Sequence, residues 1–444
     1  MGAIEQLSSS IRRSLGALFA CGLLFWMCMA SLLPVLPLYI RDNGATAQEI
    51  GIVMAAFAVG LLLFRPQMGR LADRRGRKVV LLIGIVAAAI APLGYFLTQP
   101  REILLLVRVF HGLSIAAFTT AYSTLVTDIA PPQSRGEVIG YMTLVTPIGM
   151  ALGPLLGDWL LHHWGYSLCF LAASAIAAIS LIFGLAIQGV PEAQSQPLPV
   201  IHPSSSPAST PRQFSPESLQ VVSYPSSSGF NSASHNQPFW QILWSDRLRT
   251  PTLTLLIVGV AFGILSIFVP LYLRETNLAV TAGTFYTSAA TTSFLMRFLA
   301  GRNSDRYGRG RFITLGLICY CCAMLLLWLA PRNDLFILAG LLEGIGGGTL
   351  LPITIALLAD RSQAGERGRI FSLCIAGFDL GVFLAGPLVG GLADWVGYRG
   401  VFGIAAGLSM VGLLLFTTLS SKDLAHSLHF SLKGGTDIYA FDKK

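Results

Sequence analysis

Long apolar blocks alternate with short polar loops along the whole chain. The blocks that begin at Ser14 (SLGALFACGLLFWMCMASLLPVLPLYI) and at Val79 (VVLLIGIVAAAIAPLGYFL) contain no charged residue. Each is about 20 residues or more, the length at which an α-helix crosses the hydrocarbon core of a bilayer. About twelve blocks meet this criterion, and we number them spans 1 to 12. They lie near 15–40, 48–68, 79–98, 103–127, 138–160, 167–188, 251–273, 281–300, 312–330, 334–358, 371–393 and 398–419.

The composition supports a membrane protein rather than a soluble domain. Of the 444 residues, 53% are hydrophobic and only 12% are charged, whereas about a quarter of the residues of a soluble domain are charged. The pattern therefore predicts an all-α membrane protein with twelve transmembrane helices.

The basic residues are distributed unevenly between the two sides of the membrane. The net charge is +8, which in a soluble protein would suggest a nucleic-acid partner. Here, with the N-terminus inside, 24 of the 30 Lys and Arg fall in inner loops or near the inner ends of spans, and Arg108 falls within span 4. The outer loops hold five: Arg41, Arg101, Arg274, Arg332 and Arg399. This bias predicts a multi-pass protein of the cell (inner or plasma) membrane with both termini in the cytoplasm and no nucleic-acid partner.

The segment between spans 6 and 7 differs from the rest of the chain. It is rich in Ser and Pro, as in IHPSSSPASTPRQFSPES, and such a composition is typical of a disordered linker. FWQILWSDRLR (239–249) follows and predicts a short interfacial helix. We therefore expect a six-helix bundle over 1–190, a cytoplasmic linker over 191–250, a second six-helix bundle over 251–421 and a cytoplasmic tail over 422–444.

The two halves repeat one another in sequence. A shift of 232 residues carries Asp73 to Asp305 and Gly165 to Gly397. A shift of 233 carries GPLLG at Gly153 to GPLVG at Gly386. An internal duplication of this kind is typical of transporter folds, whose substrate sites lie between the repeats.

The loop between spans 2 and 3 carries the most specific motif. GRLADRRGRK (Gly69–Lys78) resembles, residue by residue, the G-x-L-A-D-R-x-G-R-K element of the major facilitator superfamily. The second copy, Gly301–Arg309, is weaker because Asn303 and Ser304 replace the Leu-Ala pair. The resemblance covers both halves and implies two pseudo-symmetric six-helix bundles that alternate access to a central site.

The same resemblance implies a gate at the inner ends of the spans. Asp73 and Arg77, with Asp128, would lock the outward-open state, and Asp73 could also cap the N-terminus of span 11. The alternative is that the charged loop only forms a tight turn and fixes topology. The predicted gating residues are Arg65, Gly69, Asp73, Arg74, Gly76, Arg77, Asp128, Arg297, Asp305, Arg309 and Asp360.

Four ionisable residues within the apolar spans are candidates for a functional role. Arg108 and His111 lie in span 4, Glu343 in span 10 and Asp379 in span 11. Because ionisable groups are costly inside a membrane and usually functional, we predict that they line the proton and substrate pathway. Three alternatives stay open: Arg108 could snorkel to the outer surface, His111 could be a packing residue, and each carboxyl could be hydrogen-bonded to a neighbouring helix.

Span 5 carries a run of small residues. GMALGPLLGD resembles the G-x-x-x-G-P-x-x-G element of superfamily members that exchange protons for exported drugs. The family form ends with one more glycine after this pattern, and Asp158 replaces that glycine here. Ordinary helix packing is the alternative. The predicted hinge residues are Gly149, Gly153, Pro154 and Gly157, together with Gly386 and Pro387 in span 11.

These features predict a secondary active transporter and not an enzyme. There is no G-x-x-x-x-G-K-[ST] motif for ATP, so we expect no cofactor and a proton gradient as the energy source. The favoured function is proton-coupled efflux of small hydrophobic or cationic molecules by a monomer embedded in lipid. Two alternatives remain: uptake or facilitated transport of a small organic anion with Arg108 as its clamp, and a membrane sensor that does not transport.

Overall fold

The computed structural model describes residues 9–97, 101–131, 134–187, 244–276, 278–329, 332–363, 366–435 and 437–441. Nearly all of these residues are helical, and no β-strand occurs among them. The predicted linker at 191–243 lies outside the described residues. The fold class predicted from the apolar blocks is confirmed.

The first half contains six crossings. Span 1 is Ser9–Ser31 followed by Val35–Asp42 after a short turn. Spans 2, 3 and 4 are Ala47–Arg75, Arg77–Leu97 and Arg101–Ile129. Spans 5 and 6 form Arg135–Met142 and the long helical run Val145–Ala186. Gly165, at φ 78°, divides that run into two helices, because this backbone conformation strongly favours glycine.

The second half repeats this arrangement. Spans 7, 8, 9 and 10 are Arg249–Thr276, Ala282–Tyr307, Arg309–Leu329 and Asn333–Asp360. Spans 11 and 12 form Arg367–Leu419, divided at Gly397 with φ 72°. Gly165 and Gly397 are the pair related by the 232-residue shift, so the duplication extends to the backbone break between the last two spans of each half.

Nine helical runs in the described residues are long and apolar enough to cross a membrane. Two of these runs each contain two crossings, and span 8 adds the twelfth. Span 8 falls below the apolar criterion because Arg297 and several Thr and Ser residues lower its mean hydropathy. Since the number of crossings is even, both ends of the chain lie on one side, here called the terminal side; the opposite side is the far side.

The two halves pack together through spans 2 and 11 and through spans 5 and 8. The contacts between them cluster at the far ends of the spans. Arg274 pairs with Asp42 at 2.7 Å, and the Thr287 hydroxyl donates to the Ala151 carbonyl at 2.6 Å. Gly51 of span 2 and Gly386 of span 11 meet backbone to backbone, so that a Cβ atom on either would overlap the other's carbonyl.

The residues after span 12 fold back onto the terminal side of the second half. Leu424–Leu428 is a short α-helix that continues as a π-helix over His429–Lys433. Phe430 is buried against Gly310 at the start of span 9, and the Phe441 amide donates to the Asp360 carbonyl at 2.9 Å. The described part of the predicted tail is therefore packed against the bundle.

Arg361, at the end of span 10, is fully buried and joins four segments of the terminal side. Its guanidinium donates to both carboxylate oxygens of Asp437, at 2.7 and 2.9 Å. It also donates to the carbonyls of Arg247 and Ser420, at 2.9 and 2.8 Å. The rings of Phe430 and Tyr439 lie near its central carbon. Four of the five N–H donors of this buried cation thus have acceptors, as burial of a charge requires.

The interfacial helix predicted over 239–249 is wrong for its described part. Residues 244–248 form turns, and the helix begins at Arg249. The physical reason is that Arg247 is held by tertiary contacts: its carbonyl accepts from Arg361, and its side chain pairs with Glu366 at 3.0 Å. Residues 239–243 lie outside the described residues.

Candidate functional site

A cavity of about 500 Å³ lies between the two halves. Spans 1, 2, 4 and 5 contribute one wall, and spans 7, 8, 10 and 11 contribute the other, with Tyr320 of span 9. Most of the lining is apolar and includes Trp26, Phe57, Phe262 and Phe378. The charged residues that line it are Arg65, Arg108, Arg297, Glu343 and Asp379.

Arg108 faces the cavity from span 4 and is only 8% exposed. Its guanidinium lies 4.6 Å from the centre of the Phe57 ring, a cation–π contact. Its Nε is buried and has no hydrogen-bond partner among the described residues. The side chain therefore does not snorkel to the membrane surface but places an unpaired cation in the wall of the cavity.

His111 lies behind Arg108 and does not line the cavity. It is completely buried, and its Nδ1 is 2.9 Å from the Tyr95 hydroxyl and 3.4 Å from Arg108 Nη1. Because a guanidinium can only donate hydrogen bonds, Nδ1 accepts and the ring is neutral. The structure thus places His111 where it supports the orientation of Arg108.

Glu343 faces the cavity from span 10 on the opposite wall. It is half-buried and makes no ion pair or hydrogen bond with another described residue. Tyr286 and Tyr320 line the same region, and the Tyr320 hydroxyl is buried without a described partner. Glu343 is thus an uncompensated carboxyl group, which leaves it available to a proton or to a ligand.

Asp379 of span 11 forms an ion pair with Arg65 of span 2 at 2.7 Å. The side chain of Asp379 is 11% exposed and that of Arg65 is 34% exposed. At about 1.5 Å of rise per residue, Arg65 lies about 27 Å along span 2 from its far end, and Asp379 lies about 26 Å along span 11 from its own. This pair therefore joins the two halves at a level deeper than the far-side contacts.

Two further ion pairs each link the terminal-side ends of two neighbouring spans, and they occupy equivalent positions in the two halves. Arg77 at the start of span 3 pairs with Asp128 at the end of span 4. Arg309 pairs with Asp360 at 3.0 Å in the second half, and also with Asp305 at 3.2 Å. Arg77–Asp128 and Arg309–Asp360 are related by the 232-residue shift. Each pair stays within one half, so it fixes the inner face of that half.

The charged loops themselves are exposed on the terminal side. Asp73 and Arg74 are exposed, and Asp73 makes no ion pair with a described side chain. Gly76 and Gly308 end spans 2 and 8 at φ 90° and 96°, conformations that favour glycine at these turns. Nothing within 4 Å surrounds a Cβ at Gly69, so its small size is not required by packing. The role of this loop as a lock stays a prediction.

The small residues of span 5 pack against span 1. A Cβ atom added to Gly149 would lie 2.6 Å from the Trp26 Cβ, and one added to Gly153 would lie 2.6 Å from the Met27 carbonyl oxygen. Gly157 meets the Ser31 carbonyl in the same way. The next face of span 5 contacts span 8, where the Pro154 carbonyl lies against Gly283. Close helix packing accounts for these glycines, and their predicted hinge role is untested.

The sequence comparisons agree with this architecture. The profile of the Major Facilitator Superfamily matches residues 18–331 and 279–433. This chain belongs to the Major Facilitator Superfamily. It is 22% identical to the quinolone resistance protein NorA of Staphylococcus aureus over 402 residues, which are 88% of this chain and 92% of that protein. It is 26% identical to the staphylopine export protein of the same species, over 90% of this chain and 94% of that protein.

Solved structures of superfamily members have the same fold. The nucleoside transporter NupG aligns with a TM-score of 0.67 at 15% identity, over 90% of this chain and 97% of that chain. A bacterial homolog of the human lysosomal transporter Spinster, in an inward-facing and unoccupied conformation, aligns with a TM-score of 0.62 at 16% identity, over 96% and 97% of the two chains.

Two arginines predicted as gating residues lie at the cavity and not in the charged loops. Arg65 and Arg297 both line the central cavity, and their gating role stays a prediction. Their positions within spans 2 and 8, several turns before the charged loops, were the available signal. Pseudo-symmetry also separates them: Asp379 faces Arg65 from span 11, whereas the equivalent position in span 5 is Pro147. Arg297 consequently has no carboxylate within ion-pair distance among the described residues.

Proposed function

We propose that this protein is a proton-coupled exporter of small amphipathic molecules that works by alternating access. The carrying observation is the cavity between the halves, which contains two carboxyl groups and is closed on the far side by contacts between the halves. Bundles 1–190 and 251–421, joined by the linker 191–250 and followed by the tail 422–444, would rotate about this cavity. A single chain supplies both walls.

The direction of transport follows from the topology and from the relatives. The positive-inside bias favours a cytoplasmic terminal side, and in that orientation the cavity, closed on the far side, would load from the cytoplasm. NorA and the staphylopine export protein are named for resistance and export. Both observations favour export over uptake of an organic anion, and neither favours a sensor.

Coupling to protons requires groups that bind them in one state and release them in another. Glu343 is an unpaired carboxyl in the cavity wall, and Asp379 is held by Arg65 only while spans 2 and 11 are close. A carboxyl group that alternates between such environments changes its proton affinity. We propose that Glu343 carries the exchanged proton and that Asp379 reports the conformation of the two halves.

The first prediction concerns Glu343→Gln, which keeps the side-chain shape but removes the titratable group. In proteoliposomes with an imposed pH gradient, wild-type protein is expected to move a lipophilic dye with a matching change in lumenal pH. The variant is expected to lose about tenfold or more of the gradient-driven dye flux, as loss of a general acid–base group usually costs.

Glu275→Gln provides the matched control, because Glu275 is exposed at the far end of span 7. It should behave as wild type. Dye flux in Glu343→Gln that still responds fully to the gradient would remove Glu343 from coupling, and dye flux without proton movement in the wild type would show a facilitator.

A second prediction concerns closure of the far side. Gly386→Val places a branched side chain where the Gly51 carbonyl now lies, so spans 2 and 11 can no longer meet there. We expect the far ends of the halves to separate by several ångströms. The distance is measured by double electron–electron resonance between spin labels at Asn43→Cys and Ala279→Cys. Gly407→Val is the control, because nothing surrounds a Cβ at that position within 4 Å. An unchanged distance distribution in Gly386→Val would show that this contact does not control closure.

A further inference from the structure

The charges that line the cavity do not balance one another. Arg65, Arg108 and Arg297 face two carboxyl groups, and one of these, Asp379, is already paired with Arg65. Arg108 and Arg297 have no ion-pair partner among the described residues, and neither has Glu343. A cavity that binds only cations or neutral molecules would gain nothing from two free guanidinium groups.

Arg108 is the more deeply buried of the two cations. It is 8% exposed within a membrane span, and its Nε has no described hydrogen-bond partner. The contacts that it does have, with the Phe57 ring and with His111 Nδ1, carry no negative charge. Leaving a buried charge uncompensated costs several kcal/mol, and an anionic group supplied by a ligand would offset that cost. The bidentate geometry of a guanidinium suits a carboxylate or a phosphate.

Glu343 stands on the opposite wall at a similar depth. At the helical rise of about 1.5 Å per residue, Arg108 lies about 10 Å along span 4 from its far end, and Glu343 lies about 15 Å along span 10 from its own. The two groups therefore belong to one level of the cavity, with apolar and aromatic lining between them. Arg65 and Asp379 lie at the deeper level already described.

We infer that the substrate is amphoteric: it carries an acidic group that binds Arg108 and a basic group that faces Glu343, on an apolar body. This assignment rests on the proposed transport function and narrows the hydrophobic or cationic substrates expected from sequence. It also explains the two charged walls, since each half would hold one end of the substrate. A ligand held by both halves stabilises the closure of the two halves around it, which is what alternating access requires of a substrate.

The test measures binding rather than transport. The probes are 4′-(aminomethyl)biphenyl-4-carboxylic acid, its methyl ester, its N-acetyl derivative and the doubly blocked compound, together with the shorter phenyl analogues. Binding to the purified full chain in lipid nanodiscs is followed by tryptophan fluorescence, because Trp26 lines the cavity. We expect the free amino acid to bind about tenfold or more tightly than its methyl ester in at least one of the two series, biphenyl or phenyl.

Variants assign each preference to a residue. In Arg108→Gln the preference for acid over ester should fall to near one, and Arg108→Lys should restore part of it. In Glu343→Gln the preference for the free amine over its N-acetyl form should be lost while the acid preference remains. Arg332→Gln, which removes an exposed arginine paired with Asp334 outside the cavity, is the matched control. A monodisperse elution profile is required of every variant.

Three outcomes would overturn the assignment: esters that bind wild type as tightly as acids, an acid preference that survives in Arg108→Gln, or no acid-dependent binding at either body length. Because no gradient is applied, failure of the transport proposal would appear differently. It would leave these binding preferences intact and abolish substrate-dependent movement in proteoliposomes.

Discussion

Asp437→Asn is expected to lower the free energy of unfolding by about 3–5 kcal/mol, the cost of removing one partner of a buried ion pair. Arg361 is completely buried and Asp437 is its carboxylate partner. The variant would leave a full positive charge in the interior with neutral acceptors alone: the carbonyls of Arg247 and Ser420 and the amide oxygen introduced at position 437. The effect would appear as a lower denaturant midpoint in detergent and as release of the residues after span 12.

Asp334→Asn is the matched control, because it removes one partner of a surface ion pair instead of a buried one. Arg332 and Asp334 also form an ion pair, at 2.9 Å, but their side chains are 69% and 62% exposed. Removing an exposed pair costs about 0–1 kcal/mol. Similar midpoints for Asp437→Asn and Asp334→Asn would show that the packing of the tail, and not the ion pair, determines stability on the terminal side.

The second large effect is expected at the ion pair between the halves. Asp379→Asn imitates the protonated carboxyl and leaves Arg65 without its partner in the cavity. We expect the rate of gradient-driven transport to fall about tenfold or more, and the part of its dependence on cytoplasmic pH that arises from Asp379 to be lost, because the contact between spans 2 and 11 no longer responds to protonation. Stability should fall by only about 1–3 kcal/mol, since a third of the Arg65 side chain is exposed.

A double variant distinguishes coupling from simple stabilisation. Arg65→Gln with Asp379→Asn removes both charges of this pair, so neither partner is left as an unpaired charge. It should recover most of the lost stability, because the penalty in the single variant is that of an unpaired charge. It should not recover the part of the pH dependence that arises from Asp379, because that carboxyl group is still missing. Recovery of both properties would show that the pair has a structural role alone, and full transport in Asp379→Asn would exclude Asp379 from the cycle.

Most of the fold could be predicted from local patterns. The apolar blocks predicted the membrane helices because a bilayer demands long uncharged helical segments. The resemblance of Gly69–Lys78 predicted the superfamily, and the 232-residue shift relates the ion pairs Arg77–Asp128 and Arg309–Asp360 that the structure shows. The 232-residue shift also relates Gly165 to Gly397, and both glycines have positive φ in the structure.

The site was only partly predictable. Arg108, Glu343 and Asp379 were identified because charge is expensive within a membrane, and all three line the cavity. His111 was identified by the same argument, but it lies behind the wall. Helical periodicity places a residue on a face of its own helix, and it does not say which neighbour covers that face.

Contacts between residues that are distant in sequence could not be predicted from these patterns. The pairing of Arg65 with Asp379 crosses the two halves, and that of Arg361 with Asp437 joins span 10 to the tail. Nothing in the spacing of either pair indicates proximity. The tail was predicted as a simple extension because its polar composition hides the buried positions Phe430 and Ser431.

The sequence by itself determined which segments are membrane helices, how the chain is duplicated and which charged groups must face away from lipid, because each of these follows from the cost of placing polar groups in a bilayer. The tertiary structure alone decided which charges neutralise one another. Pairing depends on distances of a few ångströms between helices that pack by shape, and the side chains that set those distances are spread over the whole chain. The structure pairs Asp379 with Arg65 and leaves Arg108, Arg297 and Glu343 without an ion-pair partner among the described residues.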